Sequence, residues 1–384
     1  MAPKIKILYG LEAAGGGSLK HLVYLATRLN KDMFDITVIL SNSRQECISS
    51  EIAKMESEGT TVLFLPMQRN ISPINDMRLI IKLIFLIKKG RYDIVHAHSS
   101  KAGGIFRIAA WICRFPLVYY TPHCFYFQGK KGIQKKSYVL IERILGKLTT
   151  AIIVSESEKK QLIDNRVAPI SKIVNINNAI DFNEYQQEKE FEKIKKHLKI
   201  PANTFIVGAI GRLVPQKDWE TYIYAANLVL KNYPQTKFLI VGEGELFNEL
   251  NKLIFKLNLE NSIILTGQVK EIYKIYAVID VFVNTSLWEG LPYVFLEAMK
   301  YRRPIIATNT GNDKIVIHEE TGFITPAKDY RFIASKIVSF IENKQLSIKM
   351  GEKGMEWLTL KYSFELFIRK HEQLYQEPHY PEII

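Results

Sequence analysis

The sequence predicts an α/β protein built from two Rossmann-like units with parallel sheets, and three observations lead there. Short runs of β-branched and other apolar residues alternate with amphipathic helical stretches along nearly the whole chain, the rhythm of strand, crossover helix and parallel strand. A polar stretch rich in Glu and Lys interrupts that rhythm near the middle. The chain has 384 residues, and at about 150 residues per domain two units account for it.

The expected strands of the first series are Lys4–Tyr9, Ile36–Leu40, Val62–Leu65, Ile94–Ala97, Leu117–Thr121, Ala151–Val154 and Ile173–Ile176. Between the first two, Leu19, Leu22, Val23, Ala26 and Leu29 recur at helical spacing and place one apolar stripe on the sheet. The polar stretch Asp181–Ile200, with Glu184, Glu188, Glu190, Glu192, Lys193, Lys195 and Lys196, reads as a connection plus an exposed helix ending at Pro201. The second series comprises Phe205–Ile210, Lys237–Val241, Ile263–Thr266, Val281–Asn284, Ile305–Ala307 and Gly322–Ile324, followed by a final helical stretch, Trp357–Tyr375. These readings divide the chain into residues 1–180, a connection 181–200 and residues 201–356, with no internal sequence repeat. Open α/β sheets bind ligands beyond the carboxyl ends of their strands, so two such domains are expected to face each other across a cleft.

Composition narrows the class. Apolar residues are 47% and charged residues 24% of the chain, a globular profile rather than a disordered or fibrous one. Cys47, Cys113 and Cys124 lack metal-ligand spacing and read as packed thiols. The opening Met-Ala-Pro-Lys-Ile-Lys-Ile runs straight into a strand without a signal-peptide pattern, so a cytoplasmic protein is expected. The apolar stretches Leu79–Ile87 and Ile105–Tyr120 are short or interrupted by Lys82, Arg107 and Arg114, against the roughly 20 apolar residues a membrane helix needs.

Charge is distributed unevenly. Up to Ile180 there are 26 Lys and Arg against 13 Asp and Glu, and beyond it 26 of each, so the net charge of +13 resides in the first half. A basic half suits nucleic acid, anionic lipid or a phosphorylated ligand. Lys130, Lys131, Lys135 and Lys136 form its densest cluster beside Phe125, Tyr126 and Phe127, a basic aromatic patch suited to a bilayer surface, or simply a solvated face.

Three segments can carry chemistry. Gly15-Gly16-Gly17-Ser18 follows the first strand and opens a helix, where free backbone N–H groups and the helix dipole favour anions, although the spacing of a dinucleotide fingerprint is absent. Gly211-Arg212-Leu213-Val214-Pro215-Gln216-Lys217-Asp218 places two cations on a strand-to-helix loop, suited to stabilising a departing diphosphate. Thr285 through Met299 is again strand, loop and helix: Gly290 permits a turn and Pro292 suits the first helical position, leaving Glu289 in the loop and Glu297 about two turns along the helix.

Together these segments resemble the retaining glycosyltransferases of family 4, with their two-domain GT-B architecture and a Glu-x7-Glu element like Glu289 to Glu297. The resemblance extends to His98-Ser99-Ser100-Lys101-Ala102-Gly103, Thr121-Pro122-His123, Val241-Gly242-Glu243-Gly244 and Gly290-Leu291-Pro292, and so covers nearly the whole chain. It implies that Arg212 and Lys217 hold the donor diphosphate, and that Glu297 binds the ribose. Glu289, with the N–H groups of Gly290, Leu291 and Pro292's neighbourhood, would bind the transferred sugar. Gly242 and Glu243 would lie near the base, Gly16 and Gly17 would belong to the donor site, and His123 would contact the sugar near the reaction centre. The C-terminal segment from about 357 to 384 would cross back onto the first domain. Cys124 stands where Gly is common in the family, and Thr310-Gly311-Asn312-Asp313 lacks its frequent Gly-Gly pair.

The resemblance further implies a hexosyl or N-acetylhexosaminyl transfer with retention and no protein nucleophile, in surface polysaccharide synthesis. The sequence contains no Asp-x-Asp, so no metal and no cofactor is expected, and EDTA should leave activity unchanged. The preferred donor is a UDP-sugar and the preferred acceptor a polyprenyl-diphosphate-linked or free glycan at the inner membrane face, with no nucleic-acid partner. A sugar-nucleotide epimerase or hydrolase on the same architecture, and a non-catalytic carbohydrate- or anion-binding protein, remain the alternative readings.

Overall fold

A computed structural model describes residues 3–42, 48–184, 194–196, 200–201, 203–310 and 314–377. Cys47, the acidic and basic residues from Glu188 to Lys193, and Gly311–Asp313 lie outside the described residues. The chain divides into two compact units: one runs to Asn178 and resumes at Glu365, and the other spans Ala179–Phe364.

Unit 1 holds a seven-stranded parallel sheet in the order β3-β2-β1-β4-β5-β6-β7. Its strands are β1 (Ile5–Leu11), β2 (Phe34–Ser41), β3 (Thr61–Leu65), β4 (Ile94–His98), β5 (Val118–Thr121), β6 (Ala151–Val154) and β7 (Ile173–Asn175). The central strands are buried almost throughout, which is why they read as continuous Val and Ile runs rather than alternating ones. Between them run α1 (Gly16–Arg28), α2 (Ser49–Ser57), α3 (Pro73–Gly90), α4 (Ser100–Ile112), α5 (Gly132–Lys147) and α6 (Glu156–Asp164). Parallel crossovers are right-handed, so the reversal of strand order after β3 sends α3, α4 and α5 to one face and α1 and α2 to the other. In agreement, α3 packs on α4, α4 on α5, and α1 on α2.

Arg107 fixes the α4–α5 contact. Its guanidinium is fully buried, lies 2.9 Å from Glu142 and stacks 3.8 Å above the Tyr120 ring. Gly103 permits that packing, because a Cβ there would fall 2.3 Å from the same ring.

The helix α1 is buried on more than the one stripe expected for it. His21, Tyr24, Leu25 and Thr27 are also covered, because the last helix, Phe364–Gln376, packs onto it: His21 meets Phe367 at 5.0 Å and His371 at 5.7 Å between ring centres. The final helical stretch is in fact two helices. Trp357 belongs to the helix Lys344–Lys361, a break follows at Tyr362 and Ser363, and only from Glu365 does the chain rejoin unit 1.

Unit 2 repeats the plan with six parallel strands in the order β10-β9-β8-β11-β12-β13. They are β8 (Ile206–Ile210), β9 (Lys237–Val241), β10 (Ile263–Gly267), β11 (Val281–Asn284), β12 (Ile305–Thr308) and β13 (Gly322–Thr325). Its helices include Trp219–Leu230, Phe247–Lys256 and Tyr293–Lys300. Among the described residues no helix is long and apolar enough to cross a membrane.

Candidate active site

In each unit the strand order reverses beside the first strand, between β1 and β4 and between β8 and β11. Such switch points open a crevice at the strand carboxyl ends, and each of the three segments expected to carry chemistry leaves a strand at one of them, after β1, β8 and β11.

In unit 2 the loop after β8 is stitched to the loop after β11. Lys217 Nζ forms an ion pair with Glu289 Oε1, and Ser286 Oγ donates to the same oxygen at 2.7 Å. Gln216 Nε2 donates to Trp288 O at 2.7 Å, Leu287 N–H to Gln216 O at 2.8 Å and Thr285 Oγ to Lys217 O at 2.7 Å. Glu289 is thereby held as a buried carboxylate among donors, a charge-assisted arrangement that orders both loops.

Next to it, Gly242 has φ +140° and a Cβ there would fall 2.1 Å from Gly211 O, so the Val241–Gly244 turn lies directly against the Gly211–Leu213 loop. Leu213 N–H donates to Glu243 O at 2.8 Å. The Arg212 side chain is exposed while its carbonyl accepts from Trp219 Nε1 at 3.0 Å. Gly290 and Leu291 are buried, and Pro292 caps the helix that begins at Tyr293. Glu297 therefore sits in that helix's second turn, closer to its start than the sequence suggested, and accepts from the Tyr276 hydroxyl at 2.9 Å. Burial first, and then the Glu297 charge, raise the Tyr276 and Tyr293 hydroxyls well above the usual tyrosine range.

In unit 1 the chain leaves β4 and β5 in strained conformations, with φ +70° at Ser99, +53° at His123 and +100° at Cys124. Backbone of this kind costs about 1–3 kcal/mol per residue and gathers at functional sites. The Cys124 position thus adopts the conformation a glycine would take freely, held by its N–H donating to Glu158 at 2.7 Å. Gly16 and Gly17 form the exposed start of α1.

His123 is not isolated. Its Nε2 shares a 3.0 Å hydrogen bond with His98 Nδ1, and His21 lies 4.7 Å from it between ring centres. His21 Nδ1 donates to Asn178 Oδ1 at 2.9 Å. A chain of donors passes from Tyr9 hydroxyl to Tyr375 hydroxyl (3.0 Å), His96 Nδ1 (2.7 Å) and, through His96 Nε2, Thr121 Oγ (2.8 Å). Burial lowers these histidines: His21 to about 4, His371 to about 3, and His96, His98 and His123 well below their ordinary value.

The basic patch needs correction in its aromatic part. Phe125 and Phe127 are fully buried and stacked on each other at 5.0 Å, as core. Only Tyr126 reaches the surface, where Lys130 lies 4.7 Å above its ring. Lys131, Lys135 and Lys136 are exposed at the start of α5. The exposed apolar neighbours are instead aliphatic residues of α5, Ile133 (79% exposed), Leu140, Ile141 and Ile144, together with Trp111 and Ile112 at the end of α4. On α3 a second stripe, Ile74, Met77, Ile81 and Phe85 (70% exposed), lies opposite the buried Leu79, Leu83 and Ile87.

The structure thus brings Lys217 and Glu289 into contact in unit 2, with Arg212, Gly242, Glu243 and Glu297 on the surrounding segments, and it places Gly16, Gly17 and His123 in unit 1. Sequence reading did not single out His21, His96 or Tyr276, and it gave no role to His98, Gln216 or Ser286 although they lie within its motifs. The His96-x-His98 spacing was a usable signal, because β4 runs one residue further than the expected Ile94–Ala97 and alternate strand residues share one face.

Comparison with known proteins gives the family. Residues 15–184 match the Glycosyltransferase Family 4 model, and residues 190–357 match Glycosyl transferases group 1. The chain is 34% identical over 328 residues, 83% of each chain, to an Escherichia coli UDP-Gal:alpha-D-GlcNAc-diphosphoundecaprenol alpha-1,3-galactosyltransferase. It is 28% identical, over 90% of its length and 91% of the relative's, to the Staphylococcus aureus capsular polysaccharide biosynthesis glycosyltransferase CapM. Among solved structures, Anabaena Alr3699/HepE in complex with UDP and glucose superposes with a TM-score of 0.83 at 22% identity, covering 97% of this chain and 100% of that one. Two parallel Rossmann-like sheets, the paired loops at the unit 2 switch point and a relative at this identity and coverage lead to one conclusion: the chain belongs to glycosyltransferase family 4.

Proposed function

We propose that this glycosyltransferase moves a hexose or N-acetylhexosamine from a UDP-sugar to a polyprenyl-diphosphate-linked glycan, with retention of anomeric configuration, in surface polysaccharide synthesis. The observation that carries the reading is the Lys217–Glu289 ion pair joining the loops after β8 and β11. It places one cation and one carboxylate at a switch point where a sugar diphosphate needs both. The Escherichia coli relative, whose name gives a UDP-sugar donor and a diphosphoundecaprenol acceptor, supports the substrate classes.

In the proposed reaction the acceptor hydroxyl attacks the anomeric carbon on the face from which the diphosphate departs. The bond from that carbon to the phosphate oxygen breaks, and the acceptor proton passes to the leaving phosphate oxygen. Arg212 and Lys217 stabilise the departing charge, each by about 3–4 kcal/mol as for comparable donors elsewhere. Glu289 and the backbone of Gly290 and Leu291 orient the sugar, Glu297 takes the ribose, Gly242 and Glu243 lie by the base, and Gly16, Gly17 and His123 act on the transferred group. No metal takes part.

The α3–α4–α5 face supports the acceptor assignment. It combines exposed apolar side chains with Lys82, Lys131, Lys135 and Lys136, the composition of a surface that settles on an anionic bilayer, where a polyprenyl acceptor resides. Nucleotide release from UDP-, GDP- and ADP-sugars, with and without acceptor, tests the reading. Release that needs no acceptor favours an epimerase or hydrolase, and an inverted product refutes the mechanism.

A further inference from the structure

His21, His98 and His123 come from α1, the end of β4 and the turn after β5, and each presents a ring nitrogen within 4.8 Å of the other two. Among the described residues, Nε2 of His21 and Nε2 of His98 are buried with no hydrogen-bond partner. A buried imidazole nitrogen without a partner costs about 1–3 kcal/mol, so the orphaned Nε2 of His21, in a cluster with two further imidazoles, calls for an occupant. Nothing in the transfer chemistry proposed above uses His21 or His98. We propose that His21, His98 and His123 form a binding site in unit 1 for a divalent transition-metal ion of the zinc type, an ion that takes no part in sugar transfer but competes for His123.

The donor set suits such an ion. Imidazole is a preferred ligand of zinc, copper and nickel, and three imidazoles leave one position open on a tetrahedral ion. Asn178 Oδ1 accepts from His21 Nδ1 at 2.9 Å, which fixes the tautomer carrying its lone pair on Nε2 and orients the ring as an outer-shell partner does. His98 Nδ1 and His123 Nε2 stand 3.0 Å apart. Two nitrogens bound at 2.0–2.1 Å to one tetrahedral ion stand about 3.3 Å apart, so a change of tautomer turns that hydrogen bond into a shared metal edge. His123 is half-buried where His21 and His98 are buried, so the open position lies on its side. An ion there occupies His123 and slows transfer, a consequence that rests on the role given to His123 above.

The test uses the full chain without a polyhistidine tag, stripped with chelator, titrated with Zn2+ by calorimetry and with Co2+ by visible absorption. One ion per chain, with the bands of a four-coordinate nitrogen site, is expected. His21→Ala and His98→Ala should weaken binding by about 10–100-fold, with folding checked by circular dichroism, while Cys113→Ser and Cys124→Ser should bind as the parent does. Absence of stoichiometric binding, or unchanged affinity in both histidine variants, overturns the site. In the transfer assay Zn2+ should lower the parent's rate, and His21→Gln should be less sensitive relative to its own zinc-free rate; equal sensitivity overturns the link to His123. Stoichiometric binding in a chain that transfers no sugar supports the site and counts against the proposed function instead.

Discussion

The two units share one strand order and differ in nearly everything laid over it. Unit 2 concentrates its polar work in the loops after β8 and β11, where Lys217, Glu289, Ser286 and Gln216 satisfy one another. Unit 1 instead buries four histidines beside the half-buried His123, carries the basic excess and exposes apolar side chains. Of the exposed large apolar residues among those described, sixteen lie in unit 1 and five in unit 2, and ten of the sixteen are on α3, α4 and α5. One topology therefore carries two different sets of surface and loop residues, because the sheet determines where loops emerge and leaves their composition free.

Acid should distinguish the two units most strongly. The folded pKa values of His21 and His371, about 4 and about 3, lie below the unfolded value, and those of His96, His98 and His123 are lowered too. Unfolding lets these rings protonate, so the stability that depends on their neutrality is complete above about pH 6.5 and is lost as pH falls toward 4. Amide exchange at pH 7.5 and 5 should show β1 and β4 losing protection by several kcal/mol while β8 and β11 change little. Equal loss in both sheets would erase the distinction.

A somewhat smaller effect on the same unit is expected from Glu142→Ala, which leaves the buried Arg107 without its counter-charge and should destabilise unit 1 by about 3–5 kcal/mol in urea titrations. Unit 2 is tested through function. Lys217→Ala should lower kcat by about 10²–10³-fold at a temperature where the variant is still folded, with a lower melting temperature because the buried Glu289 loses its counter-charge; a loss confined to KM would mean the lysine only binds.

The outer face of unit 1 is tested with vesicles. Phe85→Ser and Ile133→Ser should each weaken binding to anionic vesicles by about tenfold, on the scale of one buried apolar side chain. Binding that ignores both substitutions would relocate the contact. The smallest change expected is at Cys124, where φ is +100°: Cys124→Gly should raise stability by about 1 kcal/mol, since released backbone strain exceeds the added chain entropy.

Local pattern explains what could be read in advance. The Val and Ile runs became strands because buried parallel strands tolerate little else, and Glu289, Lys217 and His123 stood at strand ends where ligands bind. What depended on distant partners was not legible. Phe125 and Phe127 looked like surface aromatics because neighbouring lysines say nothing about the core beneath. Tyr375 meets Tyr9 and His96 across most of the chain's length, and the break at Tyr362 and Ser363 interrupts a stretch whose apolar spacing reads as one helix. Apart from His96 and His98 on one strand, the histidines come from segments that share no spacing, so packing brings them together.

The central claim, that the unit 2 loops hold and activate a sugar nucleotide, is tested most directly by acceptor-dependent nucleotide release from a panel of UDP-, GDP- and ADP-sugars, comparing the parent chain with Glu289→Ala and Arg212→Ala. The account predicts release from a UDP-sugar only when a polyprenyl-diphosphate-linked acceptor is present, and its loss in both variants. Release that persists in both variants would contradict it.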